Sequence, residues 1–313
     1  MEVVVLSAWT LDDVADQRGR AVVVTGGNTG LGFETAAMFA EKGADVLIAC
    51  RDPRKAAAAV ERIMARSPRG TVRAGVLDLA DLDSVRAFAH AVVGGQERLD
   101  VLVNNAAVMW PPLTRTRQGF ESQFGTNHLG HFALTGRLLP LLLGTPGARV
   151  TTVTSLAQTQ GHIDLADLNW HTRPYSTTAA YAQSKLANML FTLELGRRLR
   201  AAGLGQVSTA SHPGWTATEL TRHSPALVRR VSPWVGMRPD KGALTTLRAA
   251  TAPEAQGVGY WGPRYFFETK GGPVPAKIVA RARDAAVATR LWEESTRLTG
   301  VAYRLTDPTG QTE

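Results

Sequence analysis

Short β-branched runs and longer helical patterns alternate over the first two-thirds of the chain. Ala21–Thr25 (AVVVT), Asp45–Cys50 (DVLIAC), Thr71–Leu77, Asp100–Val103, Arg149–Thr154 (RVTTVT) and Gln206–Ser211 are runs of strand length. Between them, Leu31–Lys42, Arg54–Arg66, Leu82–Val93, Gly119–Leu142 and Tyr181–Ala202 space their apolar residues as helices do. Strands that are apolar throughout, separated by amphipathic helices, predict βαβ units and a parallel sheet covered on both faces. The pattern breaks up between Gly214 and Pro275, where Pro, Gly and Trp are frequent and one helix is predicted near Lys241–Ala250. No internal repeat or low-complexity linker interrupts the chain. The expected organisation is a single α/β domain over residues 1–313. It has an N-terminal extension (1–19), a core (20–213), and a substrate-side cap with the C-terminal segment (214–313).

Composition narrows the class. The chain has 313 residues, 44% of them hydrophobic, and a single cysteine. That is long enough to bury a core without a disulfide or metal staple, and no paired Cys/His spacing suggests zinc. The N-terminus has only a short apolar run and no cationic leader before Asp12, Asp13 and Asp16, so no secretory signal is expected. No run of about 18 apolar residues occurs, so no transmembrane segment is expected and the anticipated location is cytoplasmic. The formal charge is +8. Residues 1–150 carry 16 basic and 15 acidic side chains, and residues 151–313 carry 19 and 12. The cations are scattered, which argues against nucleic acid as a partner. Arg222, Arg229, Arg230, Arg238, Lys241 and Arg248 gather late in the chain and read as a solvated face or an attraction for an anionic substrate.

Two motifs carry chemistry. The strand Ala21–Thr25 runs into Gly26-Gly27-Asn28-Thr29-Gly30-Leu31-Gly32 and then a helix. Glycines there permit a tight turn and close approach of a pyrophosphate to the helix N-terminus. The end of the second strand, Cys50-Arg51, lacks the acidic residue that would accept hydrogen bonds from a ribose 2′-hydroxyl. A guanidinium there suits the 2′-phosphate of NADP(H), which is favoured over NAD(H). Further on, Tyr181 and Lys185 stand four residues apart on one helix face, where an ammonium lowers a phenol's pKa towards the working range. Ser155, just past the strand Arg149–Thr154, is placed to hydrogen-bond a substrate oxygen. His128 and His131 have no evident third ligand and read as packing residues, so no metal is expected. Trp215, Trp234, Tyr260, Trp261, Phe266 and Phe267 read as core or cap packing, or as the wall of a pocket for a bulky substrate.

Taken together, Thr25-Gly-Gly-Asn-Thr-Gly-Leu-Gly32, Asp78, Asn104-Asn-Ala-Ala107, Asn127, Ser155, Tyr181/Lys185 and Pro213-Gly214 resemble the short-chain dehydrogenase/reductase family over about residues 20–220. Ala49-Cys-Arg-Asp52, Asn127-His-Leu-Gly-His-Phe132, Ser184-Lys-Leu-Ala-Asn188 and the 26 residues from Ser155 to Tyr181 point to its retinol-dehydrogenase-like and WW-domain-oxidoreductase-like branch. The resemblance implies a doubly wound, Rossmann-type sheet of about seven parallel strands and a catalytic tetrad of Asn127, Ser155, Tyr181 and Lys185. It also implies cofactor contacts from Gly26, Asn28, Thr29, Gly30, Leu31, Gly32, Arg51, Asp78, Leu79, Asn105, Ala106, Tyr181, Lys185, Pro213, Gly214, Thr216 and Thr218. The implied activity is NADP(H)-dependent interconversion of a carbonyl and an alcohol on a small-molecule substrate, by a homodimer or homotetramer. Ala107 stands where the family usually has Gly. A dinucleotide-binding regulator with vestigial catalysis, and an epimerase or imine reductase, remain the rival readings.

Overall fold

In the computed structural model, residues 9–215, 237–257 and 259–306 are described. Eight strands form one sheet in the order β3-β2-β1-β4-β5-β6-β7-β8. They are β1 (Ala21–Thr25), β2 (Asp45–Cys50), β3 (Thr71–Val76), β4 (Val101–Asn104), β5 (Arg149–Val153), β6 (Val207–Ser211), β7 (Tyr260–Tyr265) and β8 (Lys270–Pro275). The first seven run parallel and β8 returns antiparallel along β7. The expected seven parallel strands are therefore present, with an added antiparallel edge.

Both faces of the sheet are covered, which is why its central strands read as unbroken apolar runs. Side chains alternate between the faces along each strand. Val22, Val24, Val101 and Val103 join a core with helices α1 (Gly30–Glu41), α2 (Pro53–Met64) and α7 (Pro239–Thr251). Val23 and Leu102 face the other way, into a core shared with α3 (Leu82–Gly95), α5 (Gly130–Leu143) and α6 (Thr177–Ala201). Ahead of α5 lie the single turn α4 (Ser122–Phe124) and a π-helical turn, Gly125–Leu129. The last helix, α8 (Ala285–Thr299), starts on the side chain of Asp284 and stops at Gly300 in the left-handed conformation. No helix is predicted there from sequence, although both end signals are local and legible.

Helix α6 is buried over most of its length, held between the sheet, the π turn and α8. Its core-facing residues are therefore fixed, and two of them are Tyr181 and Lys185. The stretch 237–275 gives α7, β7 and β8 to the layers of the sheet. Gly262, Pro263, Gly271, Gly272 and Pro273 hide the two strands from sequence patterning, because Pro and Gly are poor strand formers except at edges and bulges. Gly262 is required where it stands, since a Cβ there would overlap the His212 ring. Among the described residues, no helix is long and apolar enough to cross a membrane.

Two buried histidines stitch these layers together. His128 stacks on Phe124, contacts Phe132 and Phe191, and pairs its Nε2 with Ser295 Oγ of α8 at 2.8 Å. His131 Nδ1 lies 3.0 Å from the Asn127 carbonyl, which can only accept, so Nδ1 carries the proton and Nε2 is an acceptor. Burial pushes His131 down to about 4 and His128 down to about 3. In the unfolded chain both titrate near ~6.5. The stability contributed by the neutral folded form is thus present above ~6.5 and is lost as pH falls from there towards 4 and below. For His131 the shift corresponds to roughly 3 kcal/mol. Thermal unfolding should show a steep loss of stability between pH 6.5 and 4. His131→Gln should flatten that dependence while lowering the melting temperature at pH 7.

Candidate active site

In a doubly wound sheet the crevice opens where neighbouring strands lead away in opposite directions. Here that point lies between β1 and β4 (Val101–Asn104), because β2 follows β1 on one side and β5 follows β4 on the other. A cavity of about 600 Å³ opens at the C-terminal ends of the strands. Its wall runs from Leu77–Leu79 after β3 to Pro213–Trp215 after β6. Those are the ends of six neighbouring strands, or about 24 Å at ~4.8 Å per strand.

Thr25, the last residue of β1, organises the floor. Its hydroxyl donates to His131 Nε2 at 2.9 Å and accepts from the backbone N–H of Asn105 at 2.9 Å and of Ala106 at 3.0 Å. The Asn105 side chain returns a bond to the Thr25 carbonyl at 2.7 Å. The loop after β4 is thereby locked against the glycine turn. Gly26 has φ +67, and a Cβ on it would come within 3.0 Å of Ala106. A Cβ on Gly32 would overlap both the Asn105 amide and the Gly26 carbonyl. Thr29 leads α1 with no side-chain cap, so the first N–H groups of that helix keep no side-chain partner. By contrast, α2 is capped by Asp52 and α3 by Asp81. A close backbone turn, a helix start without a side-chain cap and a long crevice together fit the diphosphate of a dinucleotide.

The adenosine side of such a ligand would meet Arg51, Asp78 and Leu79. Arg51 is exposed at the cavity edge and makes no ion pair among the described residues. Its neighbour Asp52 is engaged in capping α2 through Arg54 N and Lys55 N. Asp78 accepts from Ala80 N at 2.9 Å, which orients the loop after β3. Cys50 lies beneath this end, and burial pushes its thiol up to about 11, so it is not a nucleophile at neutral pH.

At the other end, Ser155 Oγ accepts from Ala157 N at 3.2 Å, which leaves its own proton to donate. The Tyr181 side chain lines the same wall. Lys185 Nζ donates to the Val153 carbonyl at 3.1 Å and sits 5.7 Å from the centroid of the Tyr181 ring. Thr154 Oγ1 donates to the Lys185 carbonyl at 2.7 Å, so the end of β5 and helix α6 are tied in both directions. Burial pushes the Tyr181 phenol up to about 12, with the Ser155 hydrogen bond opposing it, and pushes the Lys185 ammonium down to about 8. The spacing predicts a phenol acidified by the ammonium; in the structure burial raises it instead.

The sequence-predicted site residues are largely brought together. Gly26, Asn28–Gly32, Arg51, Asp78, Leu79, Asn105, Ala106, Ser155, Tyr181, Lys185, Pro213 and Gly214 all line the cavity. Thr216 and Thr218, like Trp234 and Arg222, Arg229 and Arg230, lie outside the described residues. Asn127 is fully buried and is not on the wall. Its Oδ1 accepts from Val108 N at 2.8 Å, and its Nδ2 donates to Val108 O at 2.9 Å and to Ser184 Oγ at 3.0 Å. Sequence reasoning missed Met109, Trp110 and Leu156, apolar residues that line the cavity together with Ser155 and Tyr181. Trp110 is held at φ +59 by its N–H bond to Gln123 Oε1, a long-range arrangement with no sequence signature. Among the described residues, no three His, Cys, Asp or Glu side chains converge as a metal site.

A family model for short chain dehydrogenases matches residues 20–227, and the chain belongs to the short-chain dehydrogenase/reductase family. Within the family it falls in the retinol-dehydrogenase-like branch. It is 44% identical over 292 residues to retinol dehydrogenase 13 of Homo sapiens, an alignment covering 90% of this chain and 85% of that protein. A crystal structure of an uncharacterized protein from Mycobacterium paratuberculosis superimposes with a TM-score of 0.80 at 44% identity, covering 95% of this chain and 100% of the other. The Pseudomonas aeruginosa RhlG/NADP active-site complex gives a TM-score of 0.62 at 26% identity, covering 78% and 93%.

The tight packing of the turn has a measurable consequence. Gly32→Ala should destabilise the fold by about 1–3 kcal/mol, the usual range for overpacking a close contact. A lowered urea midpoint with an unchanged slope would show it.

Proposed function

We propose that the protein is an NADP(H)-dependent oxidoreductase that interconverts a carbonyl and an alcohol on an apolar small molecule. The observation that carries this reading is the meeting of the Ser155 and Tyr181 hydroxyls on one cavity wall with the Gly26–Gly32 turn. When bound, the nicotinamide dinucleotide supplies or accepts the hydride. Tyr181 Oη gives a proton to the substrate oxygen in reduction and takes it back in oxidation. Ser155 Oγ–H hydrogen-bonds the same oxygen and holds it against the phenol. A protonated Lys185, its charge retained below about 8, favours the phenolate form as it develops and hydrogen-bonds the nicotinamide ribose. Asn127 is a positioning residue in this scheme, bracing the Val108 backbone and Ser184 beside Lys185.

Arg51 takes the 2′-phosphate in this reading, and the NADP in the RhlG complex supports the choice of dinucleotide. Met109, Trp110 and Leu156 offer apolar surface to the substrate, in keeping with the retinol dehydrogenases among the relatives.

Tyr181→Phe should reduce turnover by at least a hundredfold, the usual scale for losing a general acid–base group. Its affinity for NADPH, read by fluorescence quenching, should change little. Turnover near the wild-type rate would overturn the mechanism, whereas a wild type that binds NADPH but turns over no carbonyl or alcohol would leave the regulator reading in its place. Arg51→Glu should weaken NADPH binding by about tenfold or more while leaving NADH binding nearly unchanged, since it exchanges an ion pair for a repulsion. Equal effects on both dinucleotides would remove Arg51 from the 2′-phosphate site.

A further inference from the structure

The hairpin joining β7 and β8 ends in an aromatic tip that no part of the described structure covers. Tyr265 is 55% exposed, Phe266 73% and Phe267 98%. Isolated apolar side chains on a surface need no explanation, but consecutive aromatics held outward do. Phe266, Phe267 and Glu268 have φ of 52°, 55° and 62°, a left-handed turn that bulky residues avoid.

That turn is held from beneath. Glu268 Oε2 accepts from His212 Nε2 at 3.0 Å and its Oε1 accepts from Lys277 N at 3.1 Å. The His212 ring is wholly buried, and its Nδ1 accepts from Gly214 N at 3.3 Å, so Nε2 carries the proton it donates to Glu268. Thr269 Oγ1 donates to the Phe266 carbonyl at 2.7 Å, closing the turn. The Thr269 carbonyl in turn accepts from Trp215 N at 3.2 Å. Trp215 lines the cavity, so the tip stands at the cavity mouth.

Charge selects the occupant. Between residues 259 and 279 the cations are Arg264, Lys270 and Lys277, all exposed, and the sole acid is Glu268, with both oxygens engaged. None of the three cations forms an ion pair within 4.0 Å among the described residues. A second copy of the chain would set these cations against their own kind, and a protruding tip of three rings falls well short of the ~800 Å² per partner of a stable interface. Exposed rings flanked by cations match the interface of an anionic bilayer, where aromatics settle at the headgroup level and Lys and Arg meet the phosphates.

We propose that the tip of the β7–β8 hairpin is a wedge that docks the protein on an anionic lipid surface. Phe266 and Phe267 enter the headgroup–acyl boundary, while Arg264, Lys270 and Lys277 contact the headgroups. The cavity mouth beside Trp215 then faces lipid. This goes beyond the reaction proposed for the cavity and does not depend on it.

The test is flotation of the full chain with phosphatidylcholine vesicles, with and without phosphatidylserine. The wild type should float with the phosphatidylserine vesicles and lose them as salt rises. Phe266→Asn/Phe267→Asn should bind roughly tenfold more weakly, because two rings no longer leave water. Asn tolerates the left-handed turn, so the melting temperature should be preserved. Should the double variant fold poorly, Phe267→Asn alone replaces it. Arg264→Gln/Lys270→Gln should erase the preference for phosphatidylserine. A wild type that stays with neither vesicle, or an aromatic variant that binds as the wild type does, overturns the proposal. So does a dimer in sedimentation velocity that the same aromatic substitutions abolish, which would assign the tip to a second copy.

Discussion

The hydroxyl of Thr25 is the point on which the site depends. One oxygen atom at the end of β1 gives its proton to His131 and receives the N–H groups of Asn105 and Ala106. It therefore joins the first strand, the loop after the fourth and helix α5 at the crevice where the sheet reverses direction. A hydroxyl has one donor and two acceptor positions, and here all three are filled. The glycine turn can then lie close against Ala106 without a side chain between them. His131 can only take this part while neutral, and burial keeps it so.

Burial sets the chemistry at the other end as well. Helix α6 runs through the core, so Tyr181 and Lys185 are both removed from water. Desolvation disfavours the charged form of each, raising the phenol and lowering the amine, and so it draws their proton affinities in opposite directions. At neutral pH the phenol still keeps its proton and the amine most of its charge. What remains is precise placement, which the bonds from Lys185 to Val153 and from Thr154 to Lys185 provide.

Much of the fold was legible in the chain because its signals are local. Continuous apolar runs identify strands buried on both faces, and the glycine turn after β1 needs only neighbouring residues to be recognised. The four residues proposed to act together, Asn127, Ser155, Tyr181 and Lys185, were legible as a set in order along the chain. Where legibility failed, the cause was long-range packing. Strands β7 and β8 carry Gly and Pro that a single-strand pattern rejects, yet Gly262 is dictated by the His212 ring and Pro273 sits on the edge strand. Tyr260 and Trp261 are buried as packing predicts, whereas Phe266 and Phe267, of the same composition, point outward. Only the turn anchored by Glu268 separates the two cases.

The sequence by itself determined the order of elements, the doubly wound class, and the residues around the crevice, since periodicity and glycine spacing act over one or two turns of chain. The tertiary structure alone decided three things. It withdrew Asn127 from the cavity wall into a brace for Val108 and Ser184, because a fully satisfied amide can be buried where an unsatisfied one cannot. It raised the Tyr181 phenol by desolvation, where the spacing alone predicts a lowered one. And it placed an aromatic hairpin at the mouth of the site. Each depends on which distant side chains meet, and that is a property of the packed molecule.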